Sequence, residues 1–593
     1  LGIFIVFPIP IYALDIPTIT ATAKGPNQIN LTWSAVSNPG WGYKVEVQSD
    51  SDSRYSTWTD YTAILQNGFG YLPYWVTEGH YLDRADGTGT PGTTCLSASS
   101  SCGSASQLSI FGLKYNTLYN FRVRSYGKTD AGVASYSSYS STASATTSTP
   151  SITRHVKQGG TGDGTSEINA WGHIYNANSV SAGTLVIIHT GTYSSDYINP
   201  SNSGTQSSRI VFQVDPGETA TMQVGASYGI SIAGNYVIVD GLAMTDASGT
   251  SGEVILIDGS RNVLANTTLD GPSPTYDGYG PYVMGNYNVF ENNYWKEYGP
   301  MDGTGGSEIS IFGDYNIVSN CHHEKGGHDT AIVRGDRNML LNTLLDGGWG
   351  IGIELQGTGV YVATLNLVEG CILASSAQAG SPYVAEYKPT IEISADHNTV
   401  RRSIIRSGRD HGVEISSVNQ DSNANLIYNN VVYKNDQGAI WFMTGNNNDN
   451  IIANNIVYYN AESFSYSCGY DTVMLRDTRT GMVFHHNQLL WKSGGIENPT
   501  QAQIYDEPAG TCRTLAQQQS AEPTVFYNNL TTTPSFIDET IFDFHLKSTS
   551  GLINQGVSIT DSQWGTIGYS GIALEPGAFE YYDIAGSSSS SSI

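Results

Sequence analysis

Short apolar stretches alternate with polar residues through most of the chain, and between Asn235 and Asn528 this pattern repeats. Each copy contains an Asn, one or two apolar residues, a second Asn or a substitute, and another short apolar run. The copies NVLAN, NVFEN, NIVSN and NMLLN begin at positions 262, 288, 316 and 338, so they start 22 to 28 residues apart. Repeats of this length, built from short alternating segments, predict a solenoid of stacked coils.

A second strand-like segment accompanies most copies of the repeat. Examples are EISIFG from 308, TAIVRG from 330, IGIELQG from 351, TIEISA from 390 and GVEISS from 412. Alternation of apolar and polar residues predicts strands, and the Gly, Asn and Asp residues between them predict turns. One coil should therefore hold two or three strands, with coils stacked roughly 4.8 Å apart. We expect the recurring Asn to lie at a corner and to hydrogen-bond from coil to coil.

The segments that flank the repeats carry a family resemblance. Residues 155–193, which end in Gly-Thr-Tyr, and residues 543–556 and 575–581 resemble the entry and exit of the pectin-lyase-like superfamily. The resemblance covers about 152–582 and implies a right-handed parallel β-helix. Because this fold hosts many functions, the resemblance implies no single activity.

The open end of such a solenoid would expose a sheet edge and the core. Residues 166–180 are expected to cover it as an amphipathic helix. The residues predicted to share its apolar face are Ile168, Trp171, Ile174 and Tyr175.

Residues 15–148 resemble a fibronectin type III domain through the segments QINLTW, YKVEV and LKYNTLYNFRVRSYG, with Trp33 and Tyr119 at the positions of the core Trp and corner Tyr. The resemblance implies a β-sandwich that serves as a spacer or binding module. Residues 55–108 form a long insertion. It is either packed on itself or an aromatic platform for sugar rings or a partner subunit.

Low-complexity segments indicate further boundaries. Residues 140–151 are rich in Ser and Thr and predict a linker, and residues 583–593 form a Ser-rich tail. Residues 1–13 are apolar but too short to span a membrane comfortably. They are expected to be the remnant of a secretory signal, and the alternative is a β-strand donated to a neighbouring subunit. No other segment is apolar enough to predict a transmembrane anchor.

The charge of the chain restricts the classes of molecule that it is expected to bind. The 593-residue chain has a formal net charge of −26 and only 27 Lys and Arg residues. This composition disfavours nucleic acid, which requires clustered positive charge. Abundant Gly, Ser, Thr, Asn and Tyr suit a surface that binds a polysaccharide or self-associates into filaments.

The six cysteines fit an exported protein. The predicted disulfide pairs are Cys95–Cys102 and Cys468–Cys512. Cys321 and Cys371 follow the repeat in the same column, two coils apart, which corresponds to roughly 9.6 Å at the strand spacing. A disulfide requires Cα atoms within about 7 Å, so we predict two buried free thiols.

The densest cluster of ionisable groups lies at residues 322–329. Aligning the coils with Thr330, Ile351 and Val413 in register predicts that polar residues gather in one outer column and form a groove. The predicted column contains His328, Trp349 and His411.

Two glycan chemistries can be compared with these residues. Hydrolysis by the pectin-type enzymes of the superfamily uses an Asp pair, then Gly-His-Gly and Arg-x-Lys. In this sequence His328 and Asp329 occupy the positions of the Asp pair, and Trp349 occupies the position of the His. No Arg-x-Lys follows. Pectin-type hydrolysis is therefore disfavoured.

β-Elimination is the second chemistry, in which a base removes the proton next to a uronate carboxylate that Ca²⁺ or Arg neutralises. Lys325 or His411 is the candidate base and Arg409 the candidate neutraliser. The full candidate set is Lys325, His328, Arg409 and His411 for catalysis, Trp349 and Arg334 for substrate binding, and Asp329, Asp410 and Glu414 for Ca²⁺. The alternative is that these groups form structural ion pairs and corner hydrogen bonds on a solvated face.

Two functions follow from the sequence. The first is a secreted or cell-surface β-helix protein directed at carbohydrate, with polysaccharide lyase activity on a uronate-containing glycan. The second is a non-catalytic extracellular adhesin or filament subunit that assembles through residues 1–13 and the first domain. A polysaccharide partner fits the first function, and a second copy of the chain fits the other.

Overall fold

The computed structural model describes residues 14–34, 36, 40–64, 105–224, 228–246, 254–271, 280–296, 306–346, 350–374, 388–416, 421–443, 445–460, 472–476, 480–493, 496–497, 503–567 and 573–581. These residues form an antiparallel β-sandwich followed by a long parallel β-helix. The all-β class and the parallel β-helix predicted from the repeat are confirmed.

In the sandwich, a three-stranded and a five-stranded antiparallel sheet enclose a core that includes Trp33, Tyr119 and Phe121. The strands of the first sheet are Ile19–Ala23, Ile29–Ser34 and Ala105–Ile110, and those of the second are Gly42–Gln48, Thr59–Asp60, Leu118–Lys128, Ala134–Tyr136 and Ala143–Thr146. Two short helices, Ser53–Tyr55 and Tyr61–Ile64, follow the strand Gly42–Gln48. The linker predicted at 140–151 is wrong in part. Ala143 and Ala145 alternate toward the core, so this segment pairs as an edge strand.

Three parallel sheets form the walls of the β-helix, and from the strand Val237–Asp240 to the strand Ile451–Ala453 each coil contributes one strand to each wall. Sheet 1 contains Ile152–Val156, Thr184–Ile188, Ile210–Val214, Val237–Asp240, Val263–Ala265, Val289–Glu291, Ile317–Ser319, Met339–Leu341, Leu367–Glu369, Thr399–Arg401, Leu426–Tyr428, Ile451–Ala453, Val483–His485 and Phe526–Tyr527. Sheet 2 contains Gly191–Ser194, Ala220–Val224, Ala243–Asp246, Thr268–Asp270, Tyr294–Lys296, His322–Glu324, Leu344–Asp346, Ile372–Ala374, Ile404–Arg406, Val431–Tyr433, Ile456–Tyr458 and Gln488–Leu490. Sheet 3 contains Ile230–Ile232, Ile255–Ile257, Tyr282–Val283, Ser307–Ile311, Asp329–Val333, Ile351–Gln356, Ile391–Ser394, His411–Ile415, Gly438–Phe442, Val473–Leu475, Ile504–Asp506 and, paired antiparallel at its end, Thr511–Arg513.

The two Asn positions of the repeat occupy two different corners. The first lies before sheet 1, where the backbone N–H of one Asn donates to the side-chain oxygen of the Asn in the next coil. Asn288 donates to Asn316 over 2.8 Å and Asn316 to Asn338 over 2.7 Å, all of them buried. The second Asn lies after sheet 1 in the left-handed region, as at Asn292 and Asn320. Short polar side chains tolerate that region, which explains why the corner favours Asn.

The ends of the β-helix are covered by short segments. Ile174 belongs to a 3₁₀ helix, Ile174–Ser179, and is buried against the first coils, whereas Ile168 is 96% exposed. The predicted helix over 166–180 is therefore wrong for its first half, where residues 166–169 form a bend and a turn and the Trp171 backbone is hydrogen-bonded to His155 and Lys157 instead. At the other end, the helix Leu515–Ala521 places Leu515 on the core and begins with a capping box at Thr514.

The outer faces of sheets 1 and 2 are covered by other parts of the chain. Phe111 of the sandwich and Trp564 of the C-terminal segment pack on sheet 1, and Phe536 and Phe544 pack on sheet 2. The remaining elements of the C-terminal region are the strands Lys492–Ser493, Ile496–Glu497, Phe536–Asp538 and Asp543–Leu546 and the 3₁₀ helix Glu539–Ile541. Among the described residues, no comparable apolar cluster covers the outer face of sheet 3, so this wall is the candidate for a site.

The sandwich is fixed to the β-helix at two places. Near the first coils, Asp240 accepts hydrogen bonds from the Asn27 side chain over 2.8 Å and the Gly112 backbone over 2.7 Å. Near the C-terminal segment, Lys128 pairs with Asp543 at 2.9 Å, and Trp41 stacks on His545 with ring centroids 3.7 Å apart. These contacts hold the two units together as one body.

The free thiols predicted in the stack are confirmed, since Cys321 and Cys371 are both unpaired and buried. Burial raises the pKa of each thiol to about 12. Thr343 lies between them in the column, as the register of sheet 2 requires. Cys512 is disulfide-bonded. The cysteines Cys95, Cys102 and Cys468 lie outside the described residues, so the two predicted pairings stay predictions.

Candidate functional site: an acidic groove on sheet 3

Three glutamates form a column along the outer face of sheet 3. Glu354 pairs in register with Glu392, and Glu392 with Glu414, on three successive strands. The apolar residues on either side of each glutamate point into the core, so the carboxylates point outward. Ile332 precedes the column and Trp441 follows it. We call this surface the acidic groove.

The stacking of these carboxylates perturbs their pKa values. Burial, together with the charges of Asp329 and Glu392, raises the pKa of Glu354 to about 9. Burial and the charges of Glu392 and Asp410 raise the pKa of Glu414 to about 8, and burial and Asp329 raise the pKa of Glu392. The groove therefore binds protons at neutral pH unless another cation takes their place.

A metal-ligating cluster lies at the start of this column. One nitrogen of His328 and one oxygen each of Asp329 and Glu354 all lie within 4.8 Å of one another. His328 Nδ1 is 3.0 Å from Asp329 Oδ2, and Gln356 donates to Glu354 over 2.5 Å. Asp329 Oδ1 is buried and has no hydrogen-bond partner among the described residues. An orphaned carboxylate oxygen beside a second carboxylate fits a divalent cation, with Glu392 on the next coil.

Lys388 adds a positive charge beside this cluster. It lies three residues before the start of the strand Ile391–Ser394 and is half-buried. Its positive charge partly offsets the burial that raises the pKa values of Glu354, Glu392 and Glu414. The start of the column thus combines carboxylates, an imidazole and an amine.

The predicted column of His328, Trp349 and His411 is wrong, because its register is wrong. Asp329 pairs with Ile351, and Val413 aligns with Ile353 through Ile391 rather than with Ile351. The alignment by the Asn positions of the repeat was out of register by one residue at Thr330 and by two residues at Val413. In each coil the correct position lies nine residues after the left-handed corner residue. Counting from the corner residues Asn320, Asn342 and Arg402 gives Asp329, Ile351 and His411. Because the side-chain period of a strand is two, a one-residue slip exchanges the two faces.

His411 and Asp410 form a buried pair further along the same edge. His411 Nδ1 is 2.6 Å from Asp410 Oδ1, and both side chains are fully buried. The His411 ring packs on Trp441 with centroids 4.7 Å apart, and Arg476 covers the other part of that indole at 4.7 Å. Asp410 and Glu414 therefore lie on the groove but outside the cluster of His328, Asp329 and Glu354.

The remaining predicted residues are placed as follows. Lys325 lies at the corner between sheets 2 and 3, with φ of 63° and its amine 3.3 Å from Glu324. Arg334 donates to Gln356 over 3.0 Å at the border of the groove. Arg409 precedes Asp410 and has a buried Nη1 without a hydrogen-bond partner in the described part of the chain. Trp349 lies outside the described residues.

Sequence reasoning missed Glu354, Glu392, Lys388 and Trp441. A signal for the glutamates was present, because three successive sheet 3 segments, IGIEL, TIEIS and GVEIS, each place Glu between two apolar residues. Strands that alternate in this way point the Glu outward at the same depth. Lys388 gave no such signal, because it lies before the alternating run of its strand.

No protein-family model matches the sequence, and no curated protein matches it. Among solved structures, pectate lyase Pel9A is 17% identical, with 73% of this chain and 97% of that chain covered and a TM-score of 0.45. The PL6 family polysaccharide lyase Pedsa3628 from Pseudopedobacter saltans is 13% identical, with 57% and 93% covered and a TM-score of 0.34. A tailspike protein mutant of E. coli bacteriophage HK620, in complex with pentasaccharide, is 10% identical, with 60% and 70% covered and a TM-score of 0.34. These similarities identify no functional residue in the chain.

The fold and the site define a parallel β-helix protein with an acidic groove. Among the residues described, none of the helices is both long and apolar enough to cross a membrane.

Proposed function

We propose that the chain is an extracellular polysaccharide lyase whose acidic groove binds a uronate-containing glycan. The observation that carries this proposal is the column of Glu354, Glu392 and Glu414 beside His328 and Asp329. A row of carboxylates alone would repel a uronate polymer. With a divalent cation between them, the same row becomes a binding surface for that polymer.

Ca²⁺ is the cation we propose, held by Asp329 and Glu354 with Glu392 on the next coil. Ca²⁺ takes several oxygen ligands, which these carboxylates and the sugar can supply together. Bound there, it would neutralise the uronate carboxylate and so acidify the neighbouring C–H. The orphaned Asp329 Oδ1 supports this role, because nothing else in the described structure satisfies it.

Lys388 is the proposed base in this scheme. Lys325, the base predicted from sequence, has its amine held by Glu324 at 3.3 Å, and His411 is buried beneath Trp441. Lys388 instead lies beside the carboxylates of the cluster. Its amine is the proposed acceptor of the proton next to the uronate carboxylate.

A screen of uronate polymers with Ca²⁺ tests the proposal, with unsaturated product detected in the ultraviolet. Activity that is lost in Lys388→Ala and Glu354→Gln, but kept in the matched sheet 2 variant Glu324→Gln, would support it. Absence of product from the wild-type chain on every polymer would refute the lyase activity. Product formation that survives Lys388→Ala would refute the role of that residue.

The other parts of the chain fit an exported protein. We propose that the sandwich is a fibronectin type III domain, which is supported by its Tyr119 hydroxyl. That group accepts from the Lys114 backbone over 2.9 Å and donates to Asp52 over 2.7 Å, tying a corner as the family's Tyr does. Secretion through residues 1–13 belongs to the same proposal.

The alternative is a non-catalytic extracellular filament or adhesin subunit. The sandwich is bonded to its own β-helix through Lys128 and Trp41, so self-association would use the remaining surface or residues 1–13. Filaments in electron micrographs, together with no lyase product, would favour this alternative. Monomers that release product would exclude it.

A further inference from the structure

We propose that His189, Asp215 and Glu218 bind a second divalent metal ion, of the Zn²⁺ class, at the corner between sheets 1 and 2 of the first coils. This site is separate from the acidic groove and independent of the proposed lyase activity. Its residues follow sheet 1 strands, whereas the groove lies on sheet 3.

The three ligand atoms come from two adjacent coils. His189 directly follows the strand Thr184–Ile188, and Asp215 and Glu218 are the ends of a turn after Ile210–Val214, closed by a 2.8 Å hydrogen bond from the Glu218 N–H to the Asp215 carbonyl. His189 Nδ1 lies 3.4 Å from Glu218 Oε1 and 3.7 Å from Asp215 Oδ2. Tetrahedral Zn²⁺ with bonds of 2.0–2.1 Å separates its ligand atoms by about 3.3 Å. The side chains need only small movements to reach that geometry.

The surroundings already hold each ligand in position. The Thr190 N–H donates to the second Glu218 oxygen over 2.5 Å, and the Tyr193 hydroxyl donates to the His189 carbonyl over 2.7 Å. His189 Nε2 lies 3.1 Å from His155 Nδ1. A metal-binding His commonly donates its second ring N–H to such an acceptor, which fixes its tautomer.

Charge and access fit a metal as well. The two carboxylates, Asp215 and Glu218, together supply two negative charges when ionised, which one divalent cation cancels. The His189 side chain is 5% exposed, while those of Asp215 and Glu218 are each 34% exposed, so the buried nitrogen faces a carboxylate pair open to solvent. One imidazole with two carboxylates favours Zn²⁺ or a neighbouring transition metal over Ca²⁺, which prefers oxygen ligands.

Such an ion would fix the first two coils where they meet the sandwich. Gln213, two residues before Asp215, donates to the Leu113 carbonyl of the sandwich over 3.0 Å.

The metal-free alternative is a hydrogen-bond chain, in which His155 Nδ1–H donates to His189 Nε2 and His189 Nδ1–H donates to Glu218. That chain satisfies every group without a metal, so a direct binding measurement is needed.

The test uses the full chain carrying Glu354→Gln, which removes a groove ligand, and adds Zn²⁺ or Co²⁺ alone after chelator treatment. Calorimetry should give one Zn²⁺ per chain, and Co²⁺ should give the visible absorption of a tetrahedral ion. Adding His189→Gln should abolish both signals. Changing the outer partner, His155→Phe, should weaken Zn²⁺ binding about 10- to 100-fold.

His173→Gln is the matched control, since His173 lies 3.2 Å from Asp196 in the same region but outside the cluster. It should leave binding unchanged. If His189→Gln does not fold, Glu218→Gln, at a partly exposed side chain, replaces it and should weaken binding at least tenfold. Absence of Zn²⁺ binding in the Glu354→Gln chain, or binding unaffected by the His189 and Glu218 changes, would overturn the proposal in favour of the hydrogen-bond chain.

Discussion

Replacing the middle glutamate of the groove, Glu392→Gln, should stabilise the cation-free protein at alkaline pH. Carboxylates on adjacent strands at roughly 4.8 Å repel by about 3.5 kcal/mol at an effective dielectric constant of 20. Three ionised groups would accumulate two such interactions and a weaker one across two coils, about 9 kcal/mol together. This cost would cancel most of a total stability of about 5–15 kcal/mol, so the column retains protons.

The raised pKa values determine the sign of the pH dependence. The folded carboxyls have pKa values of about 9 at Glu354 and about 8 at Glu414, whereas unfolded glutamates titrate at about 4.3. The folded state therefore holds more protons between these limits. Their contribution to stability is complete below pH 4 and is lost as the pH rises toward 9. Wild type without cations should lose stability throughout this window.

Glu392→Gln removes the charge that touches both neighbours and keeps the shape of the side chain. We expect a gain of about 3 kcal/mol at pH 9, roughly one adjacent repulsion, and almost none at pH 4. Thermal unfolding in chelator at pH 4, 7 and 9 measures the gain as a rise of several degrees at the alkaline end. Adding Ca²⁺ should reduce or reverse it, because the cation already offsets the repulsion in wild type.

The matched control is Glu324→Gln. Although burial opposes it, hydrogen bonding to Tyr294 and the charge of Lys325 hold the pKa of Glu324 below its usual value. Removing this carboxylate should therefore give no gain at pH 9. An unchanged melting midpoint for Glu392→Gln at pH 9, or an equal gain in both variants, would refute the repulsive column.

Three further outcomes follow from the fold. Asn366→Ala, in the buried Asn stack, should destabilise the chain by about 1–3 kcal/mol in denaturant unfolding, because its partners lose their hydrogen bonds, whereas exposed Asn446→Ala should cost less. Cys321 and Cys371 should resist a thiol reagent in the folded state and react in denaturant, since burial raises their pKa values to about 12. Trp41→Ala should cost about 3 kcal/mol and increase proteolysis of the sandwich, because the indole stacks on His545.

The sequence was sufficient to predict the stacked coils but not the register of the sheet 3 strands. The Asn positions recur because corners restrict both backbone conformation and hydrogen bonding, and these local requirements are visible in the residues themselves. They correctly placed Cys321 and Cys371 two coils apart. The start of a sheet 3 strand has no equivalent marker, so matching Thr330 with Ile351 moved the predicted groove by one residue.

Which sheet carries the candidate site on its outer face also depends on long-range contacts. Whether an outward residue is covered depends on what lies over its sheet, and the covering residues, such as Phe111 and Trp564, are distant in sequence from the strands they cover. The alternation of Ile, Glu and Ile predicts an outward glutamate but not whether that glutamate faces solvent, a cation or another domain. His189 is a similar case, because its partners Asp215 and Glu218 belong to the next coil.

The acidic groove links stability to the proposed function. Outward-facing positions on sheets 1 and 2 hold apolar residues that are covered by the sandwich and the C-terminal segment. Burial of these residues stabilises the fold. Sheet 3 instead places three carboxylates where they repel one another. A cation bound only by the folded state would recover about 2.7 kcal/mol at one hundred times its dissociation constant. If that cation also bridges the glycan, the Ca²⁺ concentrations that stabilise the fold and that support lyase activity should coincide.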